Sequence, residues 1–277
     1  MWQNPIGNDA DWCAGGNRTW LSPEFASSGS TGRGLFEDEA GSWRVPPGLD
    51  PGPYTTQRLS GTEWSGTTTV WTGTNEPPVE LRRSISIGYA EEYELSIRID
   101  MELRNLHPRW KTGDIGLWVI TQVLPHANAR ITVPLRGDVG ERSSLWSFRE
   151  GTPETRDISV RSFPDHHIQV RPRADRRFKI GVDSRYSDGR VVYTRDFDHG
   201  ISVFVEHRPH YETPDRHADA AGGARYLDYG DIVQVFNSNM EEDGARFAEI
   251  ETHWPGGVLP PRGATRGTIE LLARIAE

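Results

Sequence analysis

The chain has 277 residues, a formal net charge of −9, ten tryptophans and one cysteine, Cys13. The acidic balance argues against nucleic acid and anionic membrane surfaces as main partners, and a lone cysteine excludes an intrachain disulfide. Met1 is not followed by a basic stretch and an apolar run, and no segment reaches about 18 consecutive apolar residues, so no signal peptide or membrane span is predicted and a cytoplasmic location is expected.

A chain of this length can bury one large core, and a single domain over 1–277 is expected. Residues 1–60 read as an irregular N-terminal wrap, poor in periodic pattern and rich in Gly, Pro and Ser. Within it, Gly15-Gly16-Asn17-Arg18-Thr19-Trp20-Leu21-Ser22-Pro23-Glu24 sets two glycines beside a Trp and the charged pair Arg18 and Glu24. That is loop chemistry presenting polar groups. Residues 32–53 read as a long excursion, either functional or a plain surface wrap.

From residue 67 the chain turns β-rich. Strands are predicted at 67–71 and 79–89, the latter with Leu81, Arg83, Ile85 and Ile87 on one side. Residues 93–103 alternate strictly, with Tyr93, Leu95, Ile97, Ile99, Met101 and Leu103 on one face and charged residues on the other. This predicts a long strand with one buried and one wet face in a large antiparallel sheet. In 116–124, Trp118, Ile120 and Gln122 share a face. Further strands are predicted at 129–135, 167–171, 177–182 (carrying Lys179), 190–197, 200–207, 231–237, 246–253 and 267–275. A helical period also fits the last of these. The links 175–177 and 208–225 are charged and irregular.

Phe247-Ala248-Glu249-Ile250-Glu251-Thr252-His253-Trp254 carries the densest chemistry. As a strand it puts Phe247, Glu249, Glu251 and His253 on one face. Two carboxyl groups that close disfavour joint ionisation, so one should titrate high unless a cation intervenes. The competing reading is an edge strand with a solvated charged face. Trp254-Pro255-Gly256-Gly257 then breaks the strand and sets an aromatic beside the polar group. No Gly-x-Ser-x-Gly elbow, phosphate-binding loop or dinucleotide-binding glycine motif occurs. His207 with His210, and His166 with His167, sit at spacings unspecific for a metal, so no metal and no cofactor is expected.

The Gly15–Glu24 stretch, Asn105 followed by Leu117-Trp118-Val119-Ile120-Thr121-Gln122, and Phe247–Glu251 followed by Leu259-Pro260-Pro261-Arg262-Gly263 together resemble the galactose mutarotase-like (aldose 1-epimerase-like) superfamily, closest to a divergent bacterial branch. The resemblance implies an all-β supersandwich of two large antiparallel sheets holding a small-molecule saccharide on a concave surface. It also implies acid/base chemistry in which a Glu acts on the anomeric hydroxyl and a His protonates the ring oxygen. The family's His follows a Thr-Asn pair, and here Thr121-Gln122 is followed by Val123. Glu249 or Glu251 is therefore the candidate base, and the acid is left to His126, His253 or a His within 199–207. Arg18, Glu24, Trp118, Gln122 and Lys179 are the candidate substrate-binding residues. The expected activity is that of an epimerase-like isomerase, or of a related isomerase, lyase or hydrolase. A non-catalytic sugar-binding module and an enzyme using the cleft for a non-sugar ligand are the alternatives.

Overall fold

The computed structural model describes residues 16–22, 35–36, 45–46, 48–50, 52–72, 78–91, 93–136, 146–163, 167–173, 175–210, 230–239 and 246–276. The strands in chain order begin with β1 Gly16–Ser22, β2 Thr55–Arg58, β3 Glu63–Val70, β4 Val79–Glu91, β5 Glu94–Asn105 and β6 Asp114–Val123. There follow β7 Ala129–Pro134, β8 Trp146–Glu150, the short helix α1 Pro153–Ser159, β9 Val160–Phe163, β10 His167–Val170 and β11 Phe178–Asp183. The chain closes with β12 Val191–Asp196, β13 Ser202–His210, β14 Asp231–Asn237, β15 Ala248–His253, β16 Gly257–Val258 and β17 Ala264–Ala276.

Two antiparallel sheets result, in line with the expected all-β architecture. One has the order β1-β6-β15-β14-β11-β8, with β16 added on β6; the other runs β2-β3-β4-β5-β17-β13-β12-β7-β10-β9. The alternating stretch at 93–103 is β5, at the heart of the larger sheet between β4 and β17. Ile99, Met101 and Leu103 are buried. Arg98 and Asp100 pair on the opposite face, and Glu102 holds both Arg104 and Arg266. Tyr93 departs from the expected buried face. It is exposed and has a φ of 67°, because it belongs to the turn that opens the β4–β5 hairpin. Residues 267–275, which also fitted a helical period, are strand throughout, with β5 on one side and β13 on the other.

Side-chain direction shows which face of the smaller sheet meets the larger one. Thr19 of β1 donates its hydroxyl to Met101 Sδ of β5, and Arg83 Nη2 of β4 donates to Asn17 Oδ1 of β1 at 2.5 Å. His207 of β13 reaches both Thr252 and Thr121. Asn17, Thr19, Thr121 and Thr252 therefore point between the sheets, with Ile180, Val235 and Ile250 in the same packed layer. By the period of two, Arg18, Trp20, Trp118, Gln122, Lys179, Glu249, Glu251 and His253 point the other way, away from the larger sheet.

Two expectations for the N-terminal wrap change. Gly16–Ser22 is a seven-residue strand paired with β6 from Gly16↔Gln122 to Ser22↔Gly116, not a loop. Within the excursion at 32–53, Phe36 and Leu49 are fully buried. Trp254 also departs from its expected place. Its indole lies against Gly267 of β17, where a side-chain carbon would stand 2.8 Å from Nε1, so it fills the space between the sheets and does not flank the carboxylates.

Candidate functional site

Four adjacent strands, β6, β15, β14 and β11, assemble the site. In the pairing of β15 with β6, Glu249 stands opposite Gln122, Glu251 opposite Ile120 and His253 opposite Trp118. On the other side of β15, Phe236 of β14 pairs with Glu249 and Gln234 with Glu251; Lys179 of β11 then pairs with Phe236 and Gly181 with Gln234. Opposed residues in an antiparallel sheet share a face. The sheet thus lays out one polar patch running from β6 to β11.

Gln122 Nε2 donates to Glu249 Oε1 at 2.9 Å. Lys179 Nζ lies 3.2 Å from Glu251 Oε2, and His253 Nε2 lies 3.8 Å from the same oxygen. Glu251 has no exposed side-chain surface, while Glu249 keeps 6 % of its surface. The two carboxyl groups are therefore compensated differently, one by a neutral amide and the other by an ammonium. Burial, then the negative charge of Glu251, pushes the Glu249 carboxyl up to about 8, against the opposing pull of the Gln122 hydrogen bond, Lys179 and Arg18. A carboxyl in an apolar, negatively charged setting prefers its proton.

The aromatic end of the patch is ordered as well. Trp118 stacks on His253 with ring centroids 5.2 Å apart at 18°, and Lys179 Nζ lies 5.0 Å from the Trp118 ring. Trp20 meets Trp118 edge-on at 5.3 Å, and Phe36 meets it at 5.8 Å. With 2 % of its surface exposed, Trp118 is a packed wall beside Lys179 and His253. Arg18 Nε lies 3.0 Å from Asp50 Oδ2, which also accepts the Trp20 indole N–H at 2.9 Å. That carboxylate anchors the N-terminal excursion to the same sheet face.

The sequence-predicted residues fall into four sets. Glu249, Glu251, His253, Gln122, Trp118 and Lys179 share this patch, and Arg18 lies beside it on β1. Glu24 lies outside the described residues. His126 is exposed in the turn between β6 and β7, where its Nδ1 accepts the Asn128 backbone N–H; among the described residues it makes no hydrogen bond or ion pair with either carboxyl group. His207, from the range proposed to supply an acid, lies behind the sheet. Its ring nitrogens are 3.0 Å from Thr252 Oγ1 and 2.7 Å from Thr121 Oγ1, and complete burial drives its pKa down to about 3. It is a neutral strut joining the sheets and faces away from the carboxylates.

Two neighbours were not anticipated. Asp231 accepts from Gln234 Nε2 at 2.9 Å, and its carboxylate lies over Gly181, at 1.8 Å from where a side-chain carbon would stand. Gln234 interrupts an apolar run in β14 on the side opposite Val233 and Val235, and that polar break was the available signal. Asn105, part of the motif that prompted the family resemblance, is fully buried. It ties loops together: Nδ2 donates to the carbonyls of Trp110, Leu259 and Pro260, and Oδ1 accepts from the His107 N–H. Among the described residues no group of three or more His, Cys, Asp or Glu is placed to hold a metal ion, and no helix is long and apolar enough to cross a membrane.

No protein-family profile matches the chain, and no curated protein matches it in sequence. Solved structures do match in shape. An Escherichia coli protein provisionally described as an aldose 1-epimerase shares 13 % identity, with a TM-score of 0.53 over 94 % of this chain and 84 % of that one. A galactose mutarotase-like protein from Lactobacillus casei shares 12 % identity, with a TM-score of 0.48 over 94 % and 85 %. A protein from Synechocystis shares 9 %, with a TM-score of 0.49 over 93 % and 78 %. The first of these likenesses, together with the two large antiparallel sheets of this chain, leads to one conclusion: the chain has the galactose mutarotase-like β-supersandwich fold.

Proposed function

We propose that the protein acts on a small-molecule saccharide through acid/base chemistry centred on Glu249 and Glu251, as an epimerase-like isomerase or a related isomerase, lyase or hydrolase. The observation that carries this reading is the gathering of Gln122, Glu249, Glu251, Lys179 and His253 on one sheet face. Sugar hydroxyls both donate and accept, and this set offers amide, carboxyl, ammonium and imidazole groups within one row of strands. A carboxyl titrating near neutrality is suited to passing protons at physiological pH. The resemblance in fold to a protein provisionally described as an aldose 1-epimerase supports the same substrate class. Fold alone does not fix an activity, so the residues carry the reading.

The position after Gln122 is Val123, whose partner across the sheet is Ala248, so no imidazole stands beside Glu249 there. That substitution favours a second reading, a sugar-binding module without turnover. The experiment is an assay of the wild type, Glu249→Gln and Glu251→Gln on a panel of aldoses and aryl glycosides, with binding followed by Trp fluorescence. Turnover lost in both variants supports the enzyme. Saturable binding without turnover in the wild type supports the module, and neither binding nor turnover refutes the saccharide reading.

A further inference from the structure

The described groups around Glu249 decide which carboxyl can give a proton. Its one hydrogen bond among the described residues comes from the Gln122 amide, whereas Glu251 is held by Lys179 Nζ with His253 beside it. Among the described residues, the charged and titratable groups turned toward this part of the sheet include Glu251 and His253 on its own strand, Asp231 on β14, Lys179 on β11, Arg18 on β1 with its partner Asp50, and Arg177, whose guanidinium lies 5.0 Å from the ring of Phe236, the residue paired with Glu249. A carboxyl beside a neutral amide and one beside an ammonium sit in different electrostatic settings, and divergence of that kind separates an acid from a base.

We propose that the two glutamates divide the work: Glu249, held by Gln122, delivers a proton to a sugar oxygen, while Glu251, held by Lys179, remains a carboxylate and removes one. The proposal rests on the saccharide reading and supplies the acid that Val123 leaves missing. On an aldose, Glu251 takes the anomeric hydroxyl proton and the C1–O bond order rises to a carbonyl. The bond from C1 to the ring oxygen breaks with its electron pair going to that oxygen, which receives the Glu249 proton. Closure on the other face runs the same transfers backward, and both carboxyl groups return to their starting states.

The test is a pH titration of the whole protein with 13C-labelled glutamate carboxyls, read by NMR in the wild type, Glu249→Gln, Glu251→Gln and Gln122→Met. One glutamate resonance is expected to titrate above pH 7. It should vanish in Glu249→Gln, move to lower pH in Glu251→Gln, where a repelling charge is gone, and move to higher pH in Gln122→Met, where a stabilising donor is gone. In parallel, anomerisation of α-D-glucose and α-D-galactose is followed by polarimetry, and cleavage of 4-nitrophenyl β-D-galactoside by absorbance. Glu249→Gln should lose about 100-fold or more in rate on any probe the wild type turns over. The alkaline limb of the rate profile should shift upward in Gln122→Met. A high-titrating resonance that survives Glu249→Gln, or wild-type rates in that variant, overturns the division of labour and leaves the saccharide reading standing. A wild type that binds the probes without turning any over overturns the division of labour, and one that neither binds nor turns over any of the three overturns both.

Discussion

His207→Gln tests the electrostatics of the two-sheet interior. In the folded protein His207 is completely buried with its pKa lowered to about 3, against 6.5 for the free side chain. The folded state therefore holds a neutral ring while the unfolded chain takes up a proton below pH 6.5. The stability this contributes is fully present above pH 6.5 and drains away as pH falls toward 3, at about 1.4 kcal/mol per pH unit and about 5 kcal/mol in all. Glu249 works in the opposite sense. Its folded pKa is raised from 4.5 to about 8, so its contribution is full below pH 4.5 and is lost as pH rises through 8. Between pH 4.5 and 6.5 the two slopes oppose and nearly cancel in the wild type. Replacing His207 with Gln removes one slope, so over those two pH units the variant should gain about 3 kcal/mol relative to the wild type. This gain sits on top of a constant loss from the altered hydrogen bonds to Thr121 and Thr252. Urea unfolding followed by Trp fluorescence at pH 7.5, 6.5, 5.5 and 4.5 measures the difference. A difference in stability that stays constant across that series would show that His207 is not a buried neutral ring.

Other substitutions probe the site's framework. Gly181→Ala drives a methyl into the Asp231 carboxylate and should destabilise by about 1–3 kcal/mol in urea unfolding. Lys179→Met leaves Glu251 buried beside no ammonium and should cost about 3–5 kcal/mol at pH 7; most of that loss should return in the Lys179→Met, Glu251→Gln double variant, measured the same way. Asn105→Ala strips donors from three loop carbonyls and should lower stability by about 1–3 kcal/mol in thermal unfolding. It should leave the titration of Glu249 where it is, because the described hydrogen bonds of the Asn105 side chain go to loop backbone at Trp110, Leu259, Pro260 and His107.

The sequence displayed its strands where alternation was long or apolar character dense. The run at 93–103 and the pairing of Glu249, Glu251 and His253 on one face followed from a period of two, and the register then set Gln122 and Trp118 beside them. β1 escaped notice because the Gly15-Gly16 pair and the polar residues after it read as a loop, and only the long-range partner β6 makes Gly16–Ser22 a strand. The contact of Lys179 with Glu251 was equally hidden. It depends on β14 lying between β11 and β15, an order that no local pattern encodes. His207 was legible as a histidine in a strand, but not which way it faced. Thr121 and Thr252 behind the sheet settle that.

β1 also bears on how this protein can be cut. Its seven residues cap β6 along most of that strand, and β6 is apolar and almost wholly buried. A version trimmed after Ser22 would not lose a dispensable tail. It would expose a raw hydrogen-bonding rim ready to zip onto any passing strand, so precipitation during purification is the outcome to watch for in shortened forms.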